Sequence, residues 1–194
     1  MDLTLTPTTE KEAINLMLSG IGENPVNSLD DDGQVDTVLA RQQLHAVSRD
    51  LQEKGWHWNT LEGLVLATTY LTNEISLPGN TLKVDTVGED EQIDVVIRGK
   101  RLFNKTKNSY AFDKPIKVRL VEFLAFEELP QAARTYITLE AKQIFQQDRV
   151  GSDTLAAFHR EQKLRAWAAL LDAEAEVADR TIFDNYAVAR VLDR

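Results

Sequence analysis

The spacing of hydrophobic residues changes twice along the 194-residue chain, from a helical period to short strand-like runs at Trp56, and back to a helical period near Leu129. Thr9 opens the first helical stretch. Its side chain is placed to cap the helix while Glu12, three positions on, reaches back as a capping box. Ile14, Leu16, Met17, Leu18 and Ile21 form the apolar face, and Gly20 and Gly22 end it. Asn24, Pro25 and Ser28 then turn the chain. A second helix is predicted from near Asp36 to Lys54, with Val38, Leu39, Leu44, Ala46, Val47 and Leu51 on a helical period and Gly55 as its left-handed cap.

From Trp56 to about Val121 the pattern reads as a sheet. Trp56 and Trp58, two apart, are placed on one strand face, where they would anchor the sheet. Pro78-Gly79 reads as a type II turn, the run Ile93 to Ile97 ends in a tight hairpin at Arg98-Gly99-Lys100, and 104–109 is a polar loop. Ile116, Val118 and Leu120 alternate with polar residues like a half-buried strand.

Helix returns after Leu129-Pro130, with the proline in a tolerated first-turn position and Glu127-Glu128 facing the positive end of the dipole. Ala133, Tyr136, Ile137, Ala141, Ile144 and Phe145 form its buried stripe. Gly151-Ser152 breaks the chain, and Ser152 caps a final long helix predicted to stop near Asp179-Arg180. The pattern therefore predicts an α+β protein: a discontinuous four-helix domain (1–55 and 122–180), an inserted antiparallel β domain (56–121), and a C-terminal segment (181–194). Ile182, Phe183, Tyr186 and Val188 make that last segment more apolar than a solvated tail, as a docking peptide would be.

Composition narrows the chemistry. At 43% hydrophobic and 27% charged residues, the chain is that of a folded globular protein. It has no cysteine, which excludes disulfides, thiolate metal sites and a cysteine nucleophile. No apolar run is long enough to span a bilayer and no secretory leader is visible, so synthesis and folding in the cytoplasm are expected. A net charge of -9 argues against a sequence-specific grip on a phosphate backbone.

His45, His57 and His159 lack metal-ligand spacing, and Gly20-Ile21-Gly22 lacks the rest of a dinucleotide loop. No metal and no cofactor is expected. The acidic clusters Asp30-Asp31-Asp32, Glu89-Asp90-Glu91 and Glu127-Glu128 raise a second reading, glycan hydrolysis by a carboxylate pair with Trp56 and Trp58 stacking on sugar. Solvated loops and a helix N-terminus account for the same clusters, so no catalytic residue is assigned. A generic interaction module is the third reading. Between Arg98 and Arg119, eight basic residues face Asp113 alone, a local +7 that leaves -16 on the rest of the chain. Arg98, Lys100, Arg101, Lys105 and Lys107 are accordingly expected to meet an acidic surface of a neighbouring subunit or partner.

Three ordered segments carry a family resemblance. Ile21-Gly22-Glu23-Asn24-Pro25-Val26, then Gly55-Trp56-His57-Trp58-Asn59, then Phe126-Glu127-Glu128-Leu129-Pro130 with Ala133-Arg134 and Tyr136-Ile137, are similar to tail tubular protein A, the head-to-tail adaptor of T7-like short-tailed bacteriophages. That resemblance implies a virion tail protein assembled in the bacterial cytoplasm. It implies a dodecameric ring beneath the portal protein, joined to the nozzle (tail tubular protein B), with tail fibres as a further partner and DNA passing through the lumen. On that reading Ile182, Phe183, Tyr186 and Val188 dock on the portal.

Overall fold

A computed structural model describes residues 7–29, 34–151 and 153–184. It is an α+β protein with four helices and antiparallel sheets, as the hydrophobic pattern predicts. The chain divides into two compact units, one of Met1–Leu51 with Ala125–Arg194 and the other of Gln52–Leu124.

In the first unit, α1 (Glu10–Ile21) starts on the expected capping box: the Thr9 hydroxyl accepts from the Glu12 amide at 3.3 Å and the Glu12 carboxylate accepts from the Thr9 amide at 2.8 Å. Gly22, at φ +86°, closes the helix in the left-handed conformation that side chains disfavour. α1 buries Ala13, Ile14, Met17 and Leu18, and α2 (Val35–Gln52) buries Ala40, Leu44, Val47 and Leu51. α3 (Gln131–Arg149) adds Ala133, Ile137, Ala141 and Phe145, and α4 (Asp153–Asp184) adds Ala166 and Leu170.

α3 and α4 run antiparallel in a register fixed by two contacts. Tyr136 meets Trp167 with ring centroids 4.9 Å apart, and Lys163 Nζ lies 3.0 Å from Glu140 Oε2. Burial, reinforced by the Glu140 carboxylate, pushes the Tyr136 phenol up to about 12. The same register sets Gln131 opposite Asp172, so residues 173–184, roughly 18 Å of helix at about 1.5 Å per residue, run past the first turn of α3. α4 thus continues beyond its expected end at Asp179-Arg180, because nothing from Ala173 to Asp184 is a glycine or proline that would stop it.

The second unit has five strands, β1 (Thr60–Leu66), β2 (Thr81–Thr86), β3 (Val95–Arg98), β4 (Arg101–Asn104) and β5 (Ile116–Glu122). β5 pairs antiparallel with both β1 and β2, and β3 pairs with β4. Ile75, Leu77, Val84, Leu102, Phe112, Ile116, Val118 and Leu120 form the core, drawn from β2, β4, β5 and the connecting segments, with Leu64 and Leu66 of β1 and Val95 and Ile97 of β3 packed against it. The expected hairpin is present: Arg98 pairs with Arg101 across a two-residue loop whose first residue, Gly99, has φ +63°.

Two local expectations in this unit are corrected. Gly79 does not take the positive φ of a type II turn; the turn instead starts at Pro78, whose carbonyl accepts from the Thr81 amide at 3.2 Å. Trp56 and Trp58 are not on a strand. His57–Asn59 is a 3₁₀ turn, and the two indoles stack on each other at 6.2 Å and 9°. The cause is Asn59, whose buried side chain accepts from the Trp56 amide at 2.8 Å and donates to the Gln52 and Glu122 carbonyls, each at 2.9 Å. Beside it the buried Gln52 amide bonds both backbone groups of Leu124, at 2.8 and 3.1 Å. These bonds hold together the two ends of the unit.

Glu127 and Glu128 also differ from expectation. Glu127 accepts from the Glu10 amide at the start of α1, at 3.0 Å, and Glu128 accepts from the Ala125 amide at 3.0 Å within the 3₁₀ turn Phe126–Glu128. Pro130 is the residue before α3, not its first turn.

Candidate assembly surfaces

The acidic clusters are structural where they are described. Asp90 is buried, sits 2.7 Å from Lys114 Nζ and accepts from the Lys117 amide at 2.8 Å. The hydrogen bond from Lys114, then that from the Lys117 amide, hold its carboxyl below the ordinary range against the opposing effect of burial. Glu127 and Glu128 cap backbone amides, and Asp30, Asp31 and Asp32 lie outside the described residues. Trp56 is buried in its stack and offers no sugar platform. His45 is bound to Glu10 at 2.8 Å, and His159 lies outside the described side chains. Among the described residues no group of three or more metal-binding side chains gathers, and no helix is long and apolar enough to cross a membrane. A recess of about 210 Å³ beside Ile93, Phe112 and Ile116 is smaller than the roughly 300 to 1,000 Å³ of a small-molecule site.

The basic residues of the β unit sit differently from their linear cluster. Strand pairing brings acids from outside the 98–119 window onto them: Arg101 meets Glu74 at 2.8 Å, Lys105 meets Asp94 at 2.6 Å, Arg119 meets Glu62 at 2.5 Å, and Lys114 meets Asp90. Lys107 pairs with Asp113. Arg98 lies over the Phe103 ring at 3.6 Å and Arg101 over Tyr110 at 4.2 Å. Over Gln52–Leu124 the charges cancel, ten basic against ten acidic, so the whole chain charge of -9 resides in the helical unit. Lys100, at the exposed tip of the β3–β4 hairpin, has no carboxylate within ion-pair distance among the described residues. The hairpin tip therefore brings Arg98, Lys100 and Arg101 together, of which Arg101 is paired with Glu74.

The resemblance motifs prove to be sites of chain folding. Asn15 clasps the backbone of Val26, accepting its amide at 2.7 Å and donating to its carbonyl at 3.1 Å. Asn59 ties the Gly55-Trp56-His57-Trp58-Asn59 segment as described. Arg134, buried on α3, donates to the Leu129 carbonyl at 2.7 Å, to the Thr8 carbonyl at 3.0 Å and to the Glu127 carbonyl. One guanidinium fork thus organises the turn before α3 and the segment leading into α1.

Two surfaces are set by the fold alone. Tyr70 and Leu71, at the tip of the loop after β1, are 97% and 90% exposed. α2 carries a second apolar stripe, Val35, Val38, Leu39 and Ala46, facing away from its buried one. The sequence places Val38, Leu39 and Ala46 on one period with Leu44, Val47 and Leu51; the structure buries only the last three and turns the others outward. Of the expected docking residues, the Ile182 and Phe183 side chains and all of Tyr186 and Val188 lie outside the described residues; α4 includes the first two positions in its last turn.

A family model described as tail tubular protein matches residues 11–180. Tail tubular protein A of Klebsiella phage KP34 is 30% identical over 153 residues, which is 78% of this chain and 80% of that protein.

Proposed function

We infer, from the premise that this chain belongs to the tail tubular protein family and is thus a structural protein of a bacteriophage tail, not an enzyme, that it forms a ring joining the portal to the tail nozzle around the DNA ejection path. The likeness to tail tubular protein A across most of both chains carries this reading. Surface chemistry supports it. A helical unit with all of the net -9 repels the phosphate backbone, so DNA can slide past without being gripped.

In this reading the neutral β unit presents its positive hairpin tip, Arg98, Lys100 and Arg101, with Lys105 and Lys107 behind it, to an acidic surface of a neighbouring subunit, the portal or the nozzle. Ile182, Phe183, Tyr186 and Val188 dock on the portal, carried there by the end of α4 that runs past α3. Because Arg101, Lys105 and Lys107 already hold internal carboxylates, Lys100→Glu is a cleaner charge reversal than changing all four.

The assay is mass measurement by light scattering of the protein alone and mixed with portal. Wild type is expected to give a ring on the portal, weakening as salt rises and the screening length falls below about 8 Å. Lys100→Glu should weaken assembly without moving the melting temperature. Deleting residues 181–194 should abolish portal binding with the fold retained. Portal that stays unloaded by wild type at low salt overturns the adaptor reading.

A further inference from the structure

The Tyr70-Leu71 tip is pinned by hydrogen bonds although nothing among the described residues of its own unit covers it. Thr69 anchors the loop: its amide donates to the Glu74 carbonyl at 2.8 Å, its hydroxyl lies 2.7 Å from that of Thr72, and its carbonyl accepts from the Asn73 amide at 2.9 Å. Asn73 takes a positive φ of 55°, and its carbonyl accepts from the Phe112 amide at 2.9 Å, tying the loop to the core strand region. Residues 67–73 carry no charge. A pinned, uncharged loop that presents an aromatic and a leucine has little ordering entropy left to lose on docking, which is what a binding anchor requires.

The helical unit holds a matching recess. Between α2 and α3 lies an open groove of about 500 Å³ with Leu39, Ala46 and Phe145 in its lining and Gln42, Gln43, Asp148 and Arg149 as its polar groups. Arg149 is fixed there by Asp36 at 3.0 Å. The exposed Val35 and Val38 extend the same face of α2. The aliphatic and aromatic lining suits Leu71 and the Tyr70 ring, and the amides and the guanidinium offer partners for a phenol hydroxyl.

We propose that the Tyr70-Leu71 tip of one copy seats in the α2–α3 groove of the next copy, as the apolar anchor of a head-to-tail contact. The occupant is a second copy because projection and recess are on one chain but on different units. A contact between unlike surfaces of identical molecules is heterologous and repeats, closing into a ring when the rotation allows. Charge agrees, since an uncharged tip borne by a net-neutral unit meets no repulsion on approaching the unit that holds the -9. The proposal rests on the self-assembling reading above and assigns it a surface that neither the charged hairpin nor the C-terminal segment supplies.

The test uses the full chain, whose lack of cysteine makes engineered thiols specific. Oxidised Tyr70→Cys/Ala46→Cys protein should give a ladder of linked dimers, trimers and larger species on a non-reducing gel, while each single substitution stops at dimer. Tyr70→Ala/Leu71→Ala and Leu39→Gln should each weaken self-association by about 30-fold or more in sedimentation, as loss of a hot-spot residue does. Combining them should add little. Unchanged melting of the loop variant excludes unfolding as the cause. No ladder, or loop and groove variants that associate like wild type while Lys100→Glu weakens assembly, overturns this contact and leaves the ring standing. If wild type fails to associate even on portal, the ring reading falls and this contact with it.

Discussion

Replacing Asn59 by aspartate keeps the side-chain shape and inverts one of its two polar ends. The native amide donates two hydrogen bonds, to the Gln52 and Glu122 carbonyls at 2.9 Å each, and accepts one from Trp56. Aspartate retains the last but sets an anionic oxygen against two carbonyl oxygens in a buried site. The Gln52 carbonyl keeps the Gly55 amide at 3.1 Å, so the lost donors cost about 1 to 3 kcal/mol, and the anionic oxygen set against two carbonyl oxygens in a buried site adds further to that loss. Domains of this size hold only about 5 to 15 kcal/mol of stability, and Asn59→Asp is thus expected to remain folded but to unfold far earlier. For a urea slope of about 1 to 3 kcal/mol per molar, a loss of about 4 kcal/mol lowers the midpoint by roughly 1 to 4 M. The assay is urea unfolding followed by tryptophan fluorescence, because Trp56 and Trp58 stack beside the substituted residue. Acid should narrow the gap, since a protonated aspartate regains one donor and aspartate in this site has its pKa raised by burial and the facing carbonyls. A loss under about 1 kcal/mol at neutral pH would refute the argument that this amide organises the turn.

Arg134→Lys should destabilise the helical unit by about 3 kcal/mol or more in thermal or urea unfolding, because one ammonium cannot reach all three carbonyls that the guanidinium fork serves. The Asp90 interactions set an acid limit. With its folded pKa lowered below 3.8, the stabilisation is full above that ordinary value and is lost as pH falls through the folded value, so wild type should weaken below about pH 4 and Asp90→Asn should remove that part of the acid dependence. An unfolding profile of Asp90→Asn that parallels wild type down to pH 2 would count against it.

Legibility in the sequence followed the range of each interaction. The Thr9/Glu12 capping box, the glycine caps at Gly22 and Gly55 and the Gly99 hairpin were readable because their partners lie within a few residues. Trp56-His57-Trp58 was misread as a strand because Asn59 ties the turn to Glu122, a residue far along the chain. Pairing across the sheet likewise hid the true charge balance: the +7 window met Glu62, Glu74, Asp90 and Asp94 only once the strands aligned. Glu127 was assigned to the wrong helix for the same reason, since its amide partner is Glu10. Nothing in the local sequence singles out Tyr70 and Leu71, and only the fold shows that nothing in the unit covers them.

The closed neck made by Gln52 and Asn59 with Glu122 and Leu124 has a consequence for how tails diversify. A stretch of chain that begins and ends at one point can be lengthened, rewritten or exchanged as a cassette between phages, while the flanking helices keep their own hydrogen bonds and core. Changes within that stretch are thereby separated from the internal packing of the helices, so breakpoints near Gln52 and Leu124 are expected to spare the helical core, while the tip at Tyr70 and Leu71 stays tied to the groove it is proposed to fill.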